Sequence, residues 1–594
     1  MSTPARNEFD GVGNGIPRFV QFTSPVSTHR APEGQSQSPV ALPLNLIALI
    51  TQWIDDTADL ARLTRTCRLL YYMTLPQLYQ RVTLRAYPAI RYVNGRPEGF
   101  GGGSPFVMAL SSLVTGQASA LVEEFRVWGA WREAGQEDFA KGRIPDNSMM
   151  LNILLRAATD KMVKLRSFSW ELDCKPLKTL YQGLATHETL TTLNLKFPNS
   201  RVPRPSVMIP PLTNLRVFKA TEIDPLCYPD DISMLLLDSR KLEDVRLHFS
   251  PRMRREAEPT LNLQTYFGRL QKASRALSVK HFAAQNFFGM RMDGMNDMIS
   301  VETCRSLTFI DMFGNQPSGS ARNVYIDDSW KALPENLRVK LTAMRTNEVA
   351  IEHVGILKLN EIGLEKMYFI SPNAPRPEGS LPESTSPITP GDSPPADEEM
   401  SRLGKEYVHV LTRKFGHSLR HLLLREEWAL TPEEIGDIVR YCPNLEQFGL
   451  AINSTNHTIL RLLVPFLPKV KAIRLLHNEF LAEHMRAFPH EERMLEMSKD
   501  LSKAGVEQLE WYAPPMILDE SENASLTVPP VYRRIGVADA VYKVGKNYQH
   551  TREDGTWEWR REVTWSCKAA VAHVEIWGLD NLDISADPIA PFSP

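Results

Sequence analysis

A hydrophobic pattern of the form L-x-x-L-x-L recurs along the chain from about residue 120. Copies that begin at Leu165, Leu190 and Leu215 follow one another at intervals of 25 residues. The x-L-x-L part of each copy predicts a short strand, because alternate residues of a strand face the same side. A hydrophobic repeat with a period of 20 to 29 residues predicts a solenoid, in which each unit buries its apolar side against its neighbours.

Twelve segments fit the pattern. Named by their apolar positions, they are Val122/Phe125/Val127, Leu165/Phe168/Trp170, Leu190/Leu193/Leu195, Leu215/Phe218/Ala220, Leu242/Val245/Leu247, Leu307/Ile310/Met312, Val354/Leu357/Leu359, Leu419/Leu422/Leu424, Leu445/Phe448/Leu450, Val470/Ile473/Leu475, Val506/Leu509/Trp511 and Val571/Val574/Ile576. A further segment, Leu364/Met367/Phe369, begins only 10 residues after Val354, so the two cannot both be complete units.

Helices are predicted between the strands, at residues 176–186, 230–239 and 432–442. The last has the clearest start, since Thr431 is a suitable N-cap, Pro432 takes the first helical position and Glu434 completes a capping box. Because strand and helix alternate, we predict an α/β fold over residues 87–530. Its parallel sheet is curved, its helices lie outside, and its repeats are irregular in length.

Residues 39–86 are predicted to form a separate module of three short helices. Its first helix carries an apolar stripe, a second helix is predicted from Leu60 to Tyr71, and a third from Leu75 to Val82. The stripe of the first helix consists of Leu46, Ile47, Ile50, Trp53 and Ile54. So small a module buries little surface, so part of the stripe is expected to meet a partner or the rest of the chain.

Three further segments complete the predicted organisation. Residues 1–38 are rich in Ser, Pro, Gly, Asn and Gln and are predicted to be disordered. Residues 371–400 contain eight prolines and are predicted to be a structureless insertion. Residues 531–594 are predicted to hold the last repeat and a C-terminal cap, with a hairpin turn at Asp554-Gly555.

Composition narrows the functional classes. A net charge of -2 in 594 residues lacks the basic excess of nucleic-acid binders, so no nucleic-acid partner is expected. No segment approaches the roughly 20 apolar residues of a membrane span, which argues against a membrane partner. Six cysteines, none spaced as CxxC, indicate a reducing, cytoplasmic and/or nuclear location. Walker, HExxH and GxSxG motifs do not occur, so we expect no catalysis, cofactor or metal.

Residues 42–84 resemble an F-box. The similarity lies in Leu42-Pro43, the apolar stripe of the first helix, Asp59-Leu60, Cys67-Arg68 and the segment from Leu75 to Leu84. An F-box followed by leucine-rich repeats is a more specific signal than an F-box alone. The chain as a whole therefore resembles the fungal F-box proteins with C-terminal leucine-rich repeats.

This resemblance implies a non-catalytic function. In this family the F-box binds the Skp-type adaptor, which joins the cullin scaffold, and the repeats hold a protein substrate for ubiquitin transfer. The chain would then be the substrate-recognition subunit of an SCF-type cullin-RING E3 ubiquitin ligase. The residues that would contact or shape the adaptor interface are Leu42, Pro43, Leu46, Ile47, Ile50, Leu60, Leu63 and Cys67.

The concave face of the solenoid is the expected substrate surface. On each strand, the residues between the inward ones point to this face, which is the usual binding surface of a solenoid. Charged and aromatic side chains there suit a protein or peptide ligand. The candidate substrate-binding residues are Trp128, Arg246, His248, Lys358, Arg425, Arg474 and Trp577. The sequence does not identify the substrate protein.

A second interpretation comes from another functional class. The chain would be a repeat scaffold for protein interactions, outside any ligase, and the F-box-like module would only cap its N-terminal end. Adaptor binding without any change in ubiquitylated proteins on deletion would favour this scaffold.

Overall fold

A computed structural model shows a mixed α/β chain in which parallel strands alternate with helices. The predicted disordered start and residues 372–394 of the predicted insertion lie outside the described residues. The structure describes residues 44–54, 56–87, 92–93, 95–97, 104–131, 137–141, 143–198, 207–224, 227–228, 230–250, 264–286, 299–300, 302–311, 338–347, 349, 351–371, 395–452, 464–476, 498–499, 501–502, 509–513, 541–566 and 568–586.

The chain divides into two compact units, of which the first contains residues 1–242 and 265–270. Its five strands β1, β4, β5, β6 and β7 pair in chain order and in parallel, while β2 and β3 form a small antiparallel pair. The elements of this unit are α1 (Leu44–Gln52), α2 (Thr57–Leu63), α3 (Arg68–Gln80), β1 (Arg81–Ala86), β2 (Tyr92–Val93), β3 (Arg96–Pro97), α4 (Pro105–Thr115), β4 (Glu124–Gly129), α5 (Glu137–Ala140), α6 (Asp146–Asp160), β5 (Ser167–Leu172), α7 (Lys178–Leu184), β6 (Thr192–Lys196), β7 (Val217–Ile223) and α8 (Ser233–Asp238).

The core of the first unit lies along one side of its parallel strands. Each strand places two apolar side chains there, and the register aligns them from strand to strand. One buried row consists of Val82, Phe125, Phe168, Leu193 and Phe218. The strands predicted from the copies that begin at residues 122, 165, 190 and 215 are therefore confirmed.

The helices that precede β1 differ from their predicted bounds. The predicted helix from Leu60 to Tyr71 is interrupted between α2 and α3, and Cys67 caps α3 by accepting a hydrogen bond from the backbone N–H of Leu70. Val82, predicted in the third helix, lies on strand β1. Helix α2 has already ended at Leu63, and apolar spacing alone does not reveal such a break or the capping side chain that starts α3.

The second unit contains residues 243–264 and 271–594. Strands β8 to β16 pair in chain order and in parallel, and β16, β17 and β18 continue antiparallel. Helix α9 (Gln264–Lys272) has its residues 265–270 in the first unit and its two ends in the second. The other elements are β8 (Asp244–Phe249), β9 (His281–Gln285), β10 (Ser306–Ile310), β11 (Ala343–Thr346), α10 (Ile351–Leu359), β12 (Lys366–Phe369), α11 (Pro395–Phe415), β13 (His421–Leu423), α12 (Pro432–Tyr441), β14 (Gln447–Leu450), β15 (Ala472–Leu475), β16 (Trp511–Ala513), β17 (Val541–Thr551), β18 (Trp557–Ser566) and α13 (Glu575–Gly578). Strands β17 and β18 form the predicted hairpin, with Gly555 at a positive φ of 78° in its turn.

Two predicted repeat strands are helical. The segment Val354/Leu357/Leu359 lies in α10, whereas its competitor Leu364/Met367/Phe369 supplies strand β12. The segment Val571/Val574/Ile576 lies in a 3-10 turn and α13. Apolar residues at i and i+3 also share one face of a helix, so the first two positions of the pattern cannot separate the two structures.

Two other copies have a shifted register. Leu307 aligns with the buried Phe282 of β9, which places Ile310 on the opposite side of the sheet from the prediction. Trp511 likewise aligns with Ala472, whereas the pattern predicts alignment with Leu475. A shift by an odd number of residues moves every side chain of a strand to the other face.

The predicted insertion at residues 371–400 extends too far. Helix α11 begins at Pro395, so the last residues of that segment are helical. Proline is tolerated at the first helical position, where its missing N–H would have no partner in the helix. The Pro- and Ser-rich composition therefore did not mark the helix start.

The predicted capping box at the start of α12 is confirmed. Thr431 accepts a hydrogen bond from the N–H of Glu434, and the Glu434 carboxylate accepts one from the N–H of Thr431 at 2.8 Å. We expect Thr431→Ala to lower the free energy of unfolding of the second unit by about 1 kcal/mol, measured by urea denaturation. Thr303→Ala, an exposed threonine outside any helix, is the control and should stay within about 0.5 kcal/mol of the unaltered chain.

Candidate interaction surfaces

Helices α1 and α3, and the residue directly after α1, carry a group of exposed apolar side chains. Trp53 is 86% exposed and Ile50 is 54% exposed, although burial of either residue type usually stabilises a folded protein. We call this group the apolar face. Its members are Leu46, Leu49, Ile50, Trp53, Leu69 and Tyr72. Leu46, Leu49 and Ile50 lie at positions i, i+3 and i+4 and so share one side of α1, and exposed apolar side chains arranged in this way are typical of an interaction surface.

Polar contacts stabilise the three N-terminal helices and connect α3 to the end of α1. The carboxylate of Asp56 caps α2 by accepting from the N–H of Ala58 at 2.7 Å. The side-chain amide of Gln77 on α3 donates to the carbonyl of Ile54 at 3.2 Å, which ties α3 to the end of α1. These bonds fix the helices without using the exposed side chains, so the apolar face remains open.

The predicted adaptor residues fall into three groups. Leu46 and Ile50 belong to the apolar face, and Cys67 is also exposed. Ile47 and Leu63 are half-buried, and Leu60 is buried, so Leu60 shapes the module from within. Leu42 and Pro43 lie outside the described residues. Leu49, Leu69 and Tyr72 were not predicted to bind the adaptor. Their position in the same helical module could have indicated them.

A second surface is one face of the parallel sheet in the second unit. The strand register aligns Arg246 on β8, Arg345 on β11, Tyr368 on β12 and Arg474 on β15 in one row across the sheet. The three arginines are buried, which is unusual for the residue type and requires partners. A later segment of the same unit supplies those partners.

Residues 568–586 cover this face, and we call them the strap. The strap consists of the 3-10 turn Lys568–Val571, helix α13 and the 3-10 turn Ile584–Ala586. Its apolar side chains form one buried cluster with residues of the strands, such as Ala283, Ile310 and Leu423. The members from the strap are Val571, Val574, Ile576, Trp577, Leu579, Leu582 and Ile584.

Arg345 binds the strap through its backbone. Its guanidinium donates to the carbonyls of Leu579 at 2.9 Å, Asn581 at 2.7 Å and Asp583 at 3.1 Å. The side chain is only 3% exposed. The fixed planar fork of an arginine suits such convergent acceptors, so Arg345 fixes the path of the strap over the centre of the sheet.

Arg246 and Gln285 bind the end of the strap. Arg246 donates to the carbonyl of Ile584 at 3.1 Å, and Asp244 balances its charge at 2.7 Å. The Gln285 side chain donates to the carbonyl of Leu582 and accepts from the N–H of Ile584 at 3.2 Å. The Gln285 amide therefore both donates a hydrogen bond to the backbone of the strap and accepts one from it, as a neighbouring strand would do.

The strap places a carboxylate in a polar pocket of the same face. Glu575 accepts hydrogen bonds from Lys366 at 2.8 Å, from the Nδ1 of His421 at 2.7 Å and from the hydroxyl of Tyr368. Burial raises the pKa of the Glu575 carboxyl, but the bonds from His421, Lys366 and Tyr368 lower it by more, to about 2. Glu575 is therefore ionised at neutral pH and anchors the first turn of α13.

Arg474 provides a second carboxylate site next to the pocket of Glu575. It pairs with Asp580 at 2.7 Å and donates to the carbonyl of Ile576 at 2.7 Å. Both Arg474 and Asp580 are buried. Gln447 on β14 accepts from the N–H of Ile576 at 3.1 Å, so the strap is held on both sides of its helix.

The structure corrects several predicted substrate residues. Arg246 and Arg474 are engaged by the strap, and Trp577 is not on a strand at all but is a buried part of the strap. Lys358 lies on α10, outside the sheet, and pairs with Glu406 at 2.7 Å. Its assignment to the concave face was wrong because the strand Val354/Leu357/Leu359 is a helix.

His248 on β8 and Arg425, two residues after the end of β13, are also buried. The side-chain amide of Asn286 approaches the Nε2 of His248 at 3.2 Å. Arg425 pairs with Glu427 at 2.9 Å and donates to the carbonyl of Asn347 at 3.1 Å. Both side chains thus have polar partners inside the second unit.

Among the predicted substrate residues that lie on strands, Trp128 keeps the most access to solvent. It lies half-buried on β4 in the first unit, with the guanidinium carbons of Arg85 and Arg126 at 4.0 Å and 5.2 Å from its ring centroid. Arg126 also makes a two-pronged ion pair with Glu171 at 3.0 Å and 2.7 Å. This stack of ring and guanidinium groups is a platform of the kind that often dominates protein binding.

The attachment of the strap to the sheet is sensitive to acid, because it depends on the ionised carboxylate of Glu575. Its pKa is lower in the folded chain than the ordinary value of 4.5, so its stabilisation is complete above about pH 4.5 and is lost as the pH falls towards 2. We expect Glu575→Gln to cost about 2 to 3 kcal/mol at pH 7. The difference from the unaltered chain should shrink below pH 4.5 in urea denaturation series. A difference that stays constant with pH would contradict this assignment.

The described residues show no sign of a metal centre. No group of three or more His, Cys, Asp or Glu side chains among them is arranged to hold a metal ion. None of the helices in the described ranges combines the length and hydrophobicity that a bilayer crossing needs. The buried thiols of Cys304 and Cys442 have pKa values raised by burial to about 12, so neither is a reactive thiolate at neutral pH.

Comparison with known proteins adds no further identification. No protein-family model matches the chain, and no curated protein is significantly similar to it in sequence.

Proposed function

We propose that the chain is a substrate-recognition subunit of an SCF-type cullin-RING E3 ubiquitin ligase. The N-terminal helices would be an F-box that binds the Skp-type adaptor, and the repeats would be leucine-rich repeats that hold a protein substrate. The single observation that carries the proposal is the apolar face, because it lies on the segment whose sequence resembles an F-box. The cytoplasm and/or the nucleus is the proposed location.

The apolar face has the chemistry that binding to a helical partner requires. Ile50 and Trp53 are one turn apart on and after α1, and Tyr72 on α3 adds a second aromatic side chain. An apolar helix face is commonly bound in a groove or between helices of a partner. Buried Trp and Tyr side chains contribute a large share of the binding energy in such interfaces.

The proposed mechanism is proximity and needs no chemistry from this chain. The adaptor and cullin would hold the chain near the ubiquitin-carrying enzyme, and the repeats would hold the substrate. Keeping both partners on one assembly raises their effective concentration.

The test is adaptor binding by a variant with a charge in the apolar face. Ile50→Asp should weaken binding to a purified Skp-type adaptor at least about 30-fold, which corresponds to a hot spot of about 2 kcal/mol. Isothermal titration calorimetry measures the affinity, and circular dichroism checks the fold.

A matched control separates the apolar face from general surface hydrophobicity. Ile153 on α6 is 55% exposed, against 54% for Ile50, and Ile153→Asp should leave the affinity within about twofold. Failure of the unaltered chain to bind the adaptor would overturn the proposal. Equal weakening by both variants would show that the apolar face is not the surface that binds the adaptor.

A second candidate function has one observation in its favour. The strap already fills the sheet face of the second unit, which suits a scaffold that has no substrate to hold there. Such a scaffold would use the F-box-like helices only as a cap or an assembly contact. The chain would then bind the adaptor, but its deletion in cells would leave the set of ubiquitylated proteins unchanged.

A further inference from the structure

We propose that the sheet face beneath the strap is a peptide-binding site, and that the strap is its intramolecular occupant. The partner that fits is a protein segment of the same chemistry as the strap. It carries two carboxylates five residues apart, with large apolar side chains between and after them. Only the naming of this partner as a ubiquitylation substrate rests on the proposed function.

The first support is that the face binds backbone groups. Arg246, Arg345 and Arg474 direct their guanidinium groups at carbonyls of the strap, and Gln285 and Gln447 accept from its N–H groups. Every peptide offers these groups, whatever its sequence. Pairing of main-chain groups supplies affinity in peptide recognition, and pockets for side chains supply specificity.

The second support is the pair of carboxylate sites. Lys366, Tyr368 and His421 surround Glu575, and Arg474 binds Asp580. Charge-assisted bonds of this kind are stronger than neutral ones and are sensitive to position. A segment with acidic residues at a spacing of five would fill both sites, whereas lysine at either position would face a cation.

The third support is that the binding groups belong to the strands. Strands β8 to β15 keep their parallel ladder without any strand contribution from the strap. The guanidinium groups of Arg345 and Arg474 and the apolar cluster nonetheless require an occupant, because buried charge and apolar surface are costly without partners. The face can therefore exchange one occupant for another while the sheet stays intact.

The test uses the full chain and a labelled synthetic peptide with the sequence of residues 572–586 as the probe. Trp577→Ala weakens the strap in the chain, since Trp577 is buried in the cluster. We expect this variant to bind the probe at least about tenfold more tightly than the unaltered chain, because the competing strap is linked at high effective concentration. Fluorescence anisotropy gives the affinities.

Two probe variants test the chemistry of recognition. Probes with Glu575→Lys or Asp580→Lys should bind the Trp577→Ala chain at least about tenfold more weakly than the unaltered probe. Glu575→Gln/Asp580→Asn in the chain is a second way to weaken the strap if Trp577→Ala does not fold. Hydrogen exchange of β12 to β14 should stay as in the unaltered chain, which shows that the sheet persists.

Three outcomes would overturn the proposal. They are no binding of the probe to either chain at millimolar concentration, equal binding of the lysine probes, and a concentration-dependent dimer that buries the strap of a second copy. The adaptor takes no part in these measurements. Failure of peptide binding therefore leaves the adaptor test untouched, and failure of adaptor binding leaves the peptide site untouched.

Discussion

Arg345→Met is expected to lower the free energy of unfolding of the second unit by about 3 kcal/mol. The side chain is 3% exposed and donates to three carbonyls of the strap. Methionine keeps much of the apolar stem but leaves those carbonyls without a donor, at a cost of about 1 to 3 kcal/mol for each buried group. Urea denaturation measures the loss, and hydrogen exchange should show the strap losing protection before the strands.

The control for this variant is an arginine of the same unit that does not touch the strap. Arg305 is exposed and donates to the carbonyl of Lys340 at 3.1 Å. Arg305→Met should change the free energy of unfolding by no more than about 0.5 kcal/mol. If Arg345→Met costs as little as the control, the strap does not depend on this guanidinium and our account of the face is wrong.

Lys175→Met is expected to destabilise the first unit by about 3 to 5 kcal/mol. Lys175 and Asp231 form an ion pair whose side chains are 6% and 2% exposed. Burial raises the pKa of the Asp231 carboxyl, and Lys175 lowers it. Without the lysine, Asp231 must either keep a buried charge or take up a proton, and both reduce stability.

A double variant distinguishes the lost pair from a lost cavity filler. Lys175→Met/Asp231→Leu replaces both charges by apolar groups and should recover most of the stability, because a buried pair is often no better than packed apolar residues. The exposed pair Lys196 and Asp173, at 3.3 Å, is the control. Lys196→Met should cost less than about 1 kcal/mol. A double variant as unstable as Lys175→Met would contradict the charge argument.

The regular part of the fold was predictable because local pattern and final structure agree there. The copies that begin at Leu165, Leu190 and Leu215 have strands at the expected places, and the capping box of Thr431 starts a helix as expected. In these segments each apolar side chain contacts the equivalent side chain of the next repeat. Because the repeat length is constant there, the spacing in the sequence also predicts how neighbouring strands align.

The irregular part was not predictable from the same pattern. Strand β9 has the sequence His281–Gln285 with two alanines, and β11 places only Met344 as a large apolar residue. Their positions depend on pairing with neighbours, which a single sequence does not display. Conversely, the segment from Val354 to Leu359 fits the pattern and is a helix, since its apolar spacing serves both structures.

The strap was missed because its partners are distant in sequence. Arg246 and Ile584 are 338 residues apart, and Arg474 and Ile576 are 102 apart. An arginine on a strand is expected to face water, and nothing in its local sequence marks it as buried. The available signal was the combination of outward-facing arginines with a late apolar segment that contains Glu575 and Asp580.

The position of the strap in the chain also has a consequence for synthesis. The ribosome completes strands β8 to β15 before it makes residues 568–586, so the nascent protein exposes three guanidinium groups and a hydrophobic patch until translation has passed the strap. Contacts of such long range form late and slowly. Premature termination before residue 575 would leave that patch open to chaperones and proteases.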